Sequence, residues 1–292
     1  MNIAFIGLGN YGKAIASLLE HNGYDYDYAE VAENRLLSRK ADLVFLTVPT
    51  QFVRQALKDN KQYLTDQTVI INCSKGIEEN SHKMVHQIVR EHSRYPFYYS
   101  LMGPSFASGI LDRDPTVVSL GYKREEHVAT IKQLLETPYF KVKESKGYRA
   151  LELASTLKNL YAILCGYAQG LGYGTNTQAQ IITLGLGEFR VMAKALRLAD
   201  YEVTAPGVVG DMMMTCSSEE SRNFQYGLAL ASGEAKPGQT PIHTVEGYHT
   251  SHSISIIAKE YSVKLPLAEL TSAVISGKVK DKQQFQNFLQ TI

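Results

Sequence analysis

Two lysines, an aspartate and an arginine stand where this sequence could do chemistry. Lys158, in Leu157-Lys158-Asn159, interrupts a stretch whose Leu151, Ala154, Leu157, Leu160, Tyr161 and Leu164 recur at helical spacing. It therefore lies near an apolar face. A partly buried ammonium needs a partner or a depressed pKa. From a reference near ~10.4, desolvation plus a nearby cation such as Lys75 moves it toward neutrality, where it can act as general acid or base. The plainer alternative is a lysine that snorkels from a helix edge. Lys75 follows the apolar run Val69–Asn72, in Ser74-Lys75-Gly76. A lysine past the C-terminal end of such a strand faces the ligand crevice and can hold a developing oxyanion. Taken alone, it is equally a surface-loop lysine.

Gly210-Asp211 and Thr215 form a glycine-flanked turn ahead of Ser221-Arg222-Asn223. Ser221 is suited to cap a helix. Helix N–H groups, an arginine fork and an amide then make a seat for phosphate. A capped helix with a solvent-facing arginine is the alternative.

At the N-terminus, Gly7-Leu8-Gly9-Asn10-Tyr11-Gly12 follows an apolar strand and opens a helix. In that context the glycines permit a tight turn and let backbone N–H groups approach a pyrophosphate. The second strand ends among Asp25, Asp27 and Glu30. A carboxylate there pairs with a ribose diol and repels a 2′-phosphate. This favours NAD(H) over NADP(H), unless Arg35 or Arg39 folds back onto the phosphate.

Other candidates read more simply. His82 and His86 are four residues apart but lack the intervening glutamate and third ligand of a zinc site, so a solvated helix face is expected and no metal. Gly166-x-x-x-Gly170 suggests close helix packing, and Cys73 and Cys216 small buried hydrophobes.

These residues must be held by elements. Apolar runs at 3–6, 43–48, 69–72, 98–102 and 116–120, with a second strand at 24–28, alternate with helical stretches such as 13–21. That pattern implies an α/β, Rossmann-type doubly wound sheet. After about residue 146 strand signals nearly vanish, and 148–168, 178–198, 221–231 and 249–261 read as helices. The expected division is a dinucleotide-binding domain over 1–146 and an all-helical substrate domain over 147–292, with a cleft between them. The tail 278–286 reads as a solvated helix.

Composition sets bounds. Thirty Lys+Arg against 29 Asp+Glu, a formal charge of +1, argue against a nucleic-acid or membrane-surface binder. Three scattered cysteines without a CxxC fit a reducing cytoplasm. The first residues read as a strand, not a signal peptide, and no run is long enough for a membrane span.

Read together, these motifs resemble the NAD(P)-dependent sn-glycerol-3-phosphate dehydrogenase family, bacterial soluble type. The resemblance also rests on Gly103-Pro-Ser-Phe-Ala107 and Val245-Glu-Gly-Tyr248 and covers nearly the whole chain. It implies interconversion of dihydroxyacetone phosphate and sn-glycerol 3-phosphate for phospholipid synthesis, with NAD(H) or NADP(H), in an enzyme that is often a homodimer. It makes Lys158 the proton donor and acceptor, with Asp211 orienting it, and Lys75 a contact to substrate and cofactor. Gly103, Ser105, Asp211, Thr215, Ser221, Arg222 and Asn223 would hold the substrate. Gly7, Gly9, Asn10, Tyr11, Gly12, Ala107, Arg222, Thr244 and Glu246 would line the cofactor. One departure stands out: segment 29–42 is shorter than the family's usual helix and strand there. Two other readings remain, a related reductase of a hydroxyacid or imine and a non-catalytic dinucleotide-binding regulator.

Overall fold

The computed structural model describes residues 1–92, 97–199, 201–239, 245–279 and 281–292. Seven strands form one sheet in the order β2-β1-β3-β4-β5-β6-β7. They are β1 Ile3–Ile6, β2 Tyr26–Ala29, β3 Leu43–Leu46, β4 Val69–Asn72, β5 Tyr98–Met102, β6 Thr116–Gly121 and β7 Phe140–Ser145. The first five are parallel; β6 runs antiparallel to β5, and β7 parallel to β6. β1, β3 and β4 are buried on both faces, as their continuous apolar runs imply. Ile3 and Phe5 pack with helices α1 (Asn10–His21) and α5 (Val128–Leu135). Ala4 and Ile6 face the opposite layer, α2 (Thr50–Asp59) and α3 (Val85–His92). Alternating residues thus serve the two covered faces of a doubly wound sheet.

β7 had no clear sequence signal. It is an edge strand in which only Phe140 and Val142 are buried, while Lys141 and Lys143 face water. The second strand lies at Tyr26–Ala29, two residues later at its start than expected. The short segment after it holds a single 3₁₀ turn, Val31–Glu33, and an antiparallel bridge between Glu30 and Arg35.

Beyond β7 the regular elements among the described residues are helices. α6 (Tyr148–Gly170) is buried on nearly all sides. Around it pack α7 (Thr175–Ala195), α8 (Asp211–Cys216), α9 (Arg222–Ser232), α10 (Glu246–Glu260) and α11 (Pro266–Ile275). A helix apolar all round belongs in a core. α6 is not broken at Gly166. That glycine is the point of closest approach to α9, where an added Cβ would meet Phe224 O at 2.0 Å. At Gly227 on α9, an added Cβ would likewise meet Ile163 O at 2.0 Å.

The tail helix α12 spans Lys282–Gln290 and is not simply solvated: Phe285 and Leu289 anchor it in the helical core. His82 and His86 do not share a helix face. His82 sits in a left-handed turn (φ 55°) and pairs with Ser253, while His86 is buried in α3 against Glu152. Among the described residues, no helix is long and apolar enough to cross a membrane, and no group of three or more His, Cys, Asp or Glu could hold a metal.

Candidate functional site

The C-terminal ends of β1, β3, β4 and β5 open onto the helical half, and the chemistry-bearing residues gather there. β4 ends at Asn72, and the next four residues form a tightly held turn. Asn72 Oδ1 accepts from Ser74 N at 2.8 Å, Ser74 Oγ donates to Val48 O at 2.5 Å, and Thr50 Oγ1 donates to Lys75 O at 3.0 Å. Gly76 has φ 125°, a conformation that favours glycine and turns the chain away after Lys75. The lysine side chain is left pointing into the interior, 16% exposed.

Lys158 enters from the middle of α6 and is only 4% exposed. Asp211, the first residue of α8, is fully buried between the two lysines. Its Oδ1 accepts from Lys158 Nζ at 2.6 Å, and its Oδ2 from Lys75 Nζ at 3.0 Å. Thr215, one turn along α8, accepts from Lys158 Nζ at 2.7 Å and donates to Asp211 O at 2.6 Å. This hydroxyl, expected on the substrate, is engaged by the lysine.

Two ammonium groups on one carboxylate cannot both be fully compensated. For Lys158, burial is the largest influence; Asp211 opposes it and Lys75 adds to it, leaving a pKa lowered to about 8. For Lys75, burial also works against the charge, but the Asp211 carboxylate overrides it and raises the pKa above the ordinary lysine range. The proton on Lys158 is therefore the mobile one. With two of its three N–H directions used by Asp211 and Thr215, the third direction remains for a ligand.

The glycine-rich loop lies across the crevice. Gly7 has φ 92°, and an added Cβ would collide with Val48; at Gly12 one would meet Gly7 O at 2.7 Å. Around Gly9, where a Cβ would meet nothing within 4 Å, the backbone is open to approach. The first turn of α1, at Asn10 and Tyr11, has no side-chain cap, so its N–H groups are available to an anion. This cradle fits a dinucleotide pyrophosphate. Tyr11 pairs with Ser105 Oγ at 3.1 Å, and Ser105 donates back to Gly103 O at 3.1 Å. Gly103 is pressed against β6, where an added Cβ would lie 2.7 Å from the Val118 Cα. Ala107 is half-buried at the start of a short helix, α4 (Ala107–Leu111).

Ser221 caps α9, accepting from Phe224 N at 3.3 Å. The first-turn amides of Arg222 and Asn223 have no intrahelical partner. Asn223 Oδ1 accepts from Gly247 N at 2.9 Å, which leaves its Nδ2 as a donor. The Arg222 side chain is exposed, and its charge acts on Glu246. Glu246, at the start of α10, accepts from Asn159 Nδ2 at 3.2 Å. Burial raises its pKa against the pull of Arg222, Lys75 and Lys158. Thr244 lies outside the described residues. Asn159, next to Lys158, joins the lysine helix to α10.

The acids near β2 divide by position. Asp25 is exposed ahead of β2, at the end of the strand away from the crevice. Asp27 is buried and structural: its carboxylate accepts from Ser38 N at 2.6 Å and Ser38 Oγ at 2.8 Å, and it pairs with Arg35. Glu30 alone stands past the strand's C-terminal end, where its Oε2 accepts from Leu8 N at 2.7 Å. Arg35 is drawn away onto Tyr28, donating to its carbonyl at 2.9 Å and stacking over its ring. Cys73, Cys165 and Cys216 are all unpaired and buried. Burial pushes the Cys73 thiol up to about 12.

Two family models match the chain: "NAD-dependent glycerol-3-phosphate dehydrogenase N-terminus" over residues 29–128 and "NAD-dependent glycerol-3-phosphate dehydrogenase C-terminus" over 148–286. A glycerol-3-phosphate dehydrogenase [NAD(P)+] of Lawsonia intracellularis is 32% identical over 254 residues, 86% of this chain and 72% of the relative. One of Maridesulfovibrio salexigens is 31% identical, covering 92% of each. The solved glycerol-3-phosphate dehydrogenase of Coxiella burnetii superposes with a TM-score of 0.87 at 23% identity, over 99% of this chain and 98% of that one, a likeness of fold.

Proposed function

The chain belongs to the NAD-dependent glycerol-3-phosphate dehydrogenase family, and from that premise we propose how its residues carry out the family's reaction. The enzyme interconverts dihydroxyacetone phosphate and sn-glycerol 3-phosphate, with NAD(H) or NADP(H) as cofactor. The observation that carries the assignment is the pair of lysines on one fully buried aspartate, between the glycine-rich loop and the N-terminus of α9.

The phosphate of the substrate is held by the first-turn amides of α9, the Arg222 guanidinium and Asn223 Nδ2. That anchor directs C2 toward Lys158 and Lys75. Gly7, Gly9, Asn10, Tyr11 and Gly12 cradle the pyrophosphate, and Ala107, Arg222 and Glu246 line the nicotinamide end. A nicotinamide held there would supply the hydride for C2 of the ketone, or accept it from the alcohol. As charge builds on the C2 oxygen, Lys75 stabilises it as a fixed cation and Lys158 donates its third N–H proton. In the oxidative direction, neutral Lys158 presents its lone pair in that same direction and accepts the hydroxyl proton. Asp211 and Thr215 hold the amine in place through either step. Gly103 and Ser105 form the wall behind the substrate.

Residues 1–146 as a dinucleotide-binding domain and 147–292 as a substrate domain belong to the same proposal, supported by the passage from sheet to helices between Ser145 and Tyr148. So do supply of glycerol 3-phosphate for phospholipid synthesis, a homodimer and a cytoplasmic location; the three unpaired thiols support a reducing compartment. The direct test is a steady-state assay with dihydroxyacetone phosphate and either reduced cofactor, on wild type and Lys158→Ala. The variant is expected to lose ~10²–10⁴-fold in kcat while still binding cofactor. A variant with wild-type kcat and pH dependence would remove Lys158 from the reaction.

A further inference from the structure

Glu152 lies on α6, six residues before Lys158, and is 3% exposed. Its carboxylate gathers donors from three separate elements of the sheet half. His86 on α3 approaches Oε2 through Nδ1 at 2.9 Å and through its backbone N at 3.3 Å. The Tyr98 hydroxyl on β5 donates to Oε1, and Asn72 Nδ2 at the end of β4 reaches that oxygen at 3.5 Å. Asn72 is also what fixes the turn ahead of Lys75: its Oδ1 accepts from Ser74 N, and its Nδ2 donates to Ser74 O at 3.1 Å. One carboxylate thus connects the helix that carries Lys158 to the turn that carries Lys75.

A buried carboxylate is costly, and apolar packing would join α6 to the sheet at lower cost. The acid gives what apolar contact does not, a directional join with one register. We infer that Glu152 is a positioning residue for the reaction, setting the separation at which Lys75 and Lys158 meet on Asp211. The inference rests on the assignment of those lysines as the proton-handling pair. The groups facing Glu152 are His86, Tyr98 and Asn72, with the Tyr148 ring behind His86 and Tyr98. Those facing Lys158 are Asp211, Lys75 and Thr215, with the Glu246 charge beyond.

Glu152→Gln keeps the shape but turns one acceptor into an NH₂ group that must oppose a donor. It also removes a buried anion about 9 Å along the helix from Lys158. The expected result is a roughly 10- to 100-fold loss of kcat, with the dissociation constant for reduced cofactor within about twofold of wild type. The alkaline limb of the reduction profile, set by Lys158, should move to lower pH by about one unit at an effective dielectric of ~20. Tyr98→Phe removes one donor and keeps the ring, so it should lower kcat in the same direction by a smaller factor, even if Glu152→Gln folds poorly. A lowered melting temperature with wild-type kcat and an unmoved limb in both variants would make Glu152 merely structural and overturn the inference. A wild-type profile with no limb sensitive to Lys158→Met would overturn the lysine assignment, and the inference with it.

Discussion

Replacing Lys75 by Met removes one of the two cations on Asp211 and should raise the pKa of the other. Both ammonium nitrogens lie on Asp211 Oδ1, at 3.4 and 2.6 Å, so they are no farther apart than about 6 Å. At an effective dielectric of ~20, two unit charges at that separation repel by about 3 kcal/mol, or about two pH units. Lys158, lowered to about 8 in the intact pair, should therefore move toward about 10. In the proposed mechanism ketone reduction needs protonated Lys158. Its kcat/KM should hold below the lysine pKa and fall about tenfold per pH unit above it. The variant's falling limb should accordingly lie about two units higher than that of wild type. The plateau should drop by ~10²–10³-fold, because a preorganised cation facing the C2 oxygen is lost. Following reduced-cofactor absorbance with dihydroxyacetone phosphate from about pH 6 to 10.5 reads both quantities. A limb that stays near its wild-type position, or moves down, would refute the picture of two lysines competing for one carboxylate.

Arg222→Ala should raise KM for dihydroxyacetone phosphate by about 10- to 100-fold, the worth of a charge-assisted contact; unphosphorylated dihydroxyacetone should be a very poor substrate of wild type, and similar kcat/KM for the two ketones would exclude a phosphate anchor. Wild type should favour NADH over NADPH by kcat/KM, because among the acids near β2 Glu30 alone stands past the strand's C-terminal end and Arg35 is held on Tyr28 and Asp27. Glu30→Gln should narrow that preference, and a strong NADPH preference that fades with salt would mean that arginines face the ribose instead. Glu188 is buried on α7, where it accepts from Tyr161 and from the first-turn amides of α11, and burial raises its pKa to about 7. A raised carboxyl pKa gives stability that is full below ~4.5 and lost as pH rises through about 7. Urea unfolding between about pH 5 and 8 should show that decline in wild type and a flatter curve in Glu188→Gln; parallel curves would show that Glu188 titrates outside this window.

The sequence by itself determined the elements with strong periodicity and the motifs whose chemistry is local. The apolar runs of β1, β3 and β4 could be read because a strand buried on both faces needs unbroken hydrophobicity. The glycine-rich loop and the Ser221 cap could be read because each is decided within a few residues. Lys158 stood out as a charge in an apolar helix. Elements decided by remote partners were not legible. β7 is half polar because it is an edge, and α12 reads as solvated although Phe285 is buried in a pocket made by distant helices. The same limit governed the site. Asp27 and Glu30 are three residues apart and chemically alike, yet one clamps Ser38 and the other meets the glycine-rich loop. Nothing local to Glu152 announces His86, Tyr98 and Asn72, which reach it from three separate elements. Only the tertiary structure brings Lys75, Lys158 and Asp211 together from three distant segments and leaves two cations to one buried anion. A pKa depends on distance and burial, and the linear order of residues specifies neither.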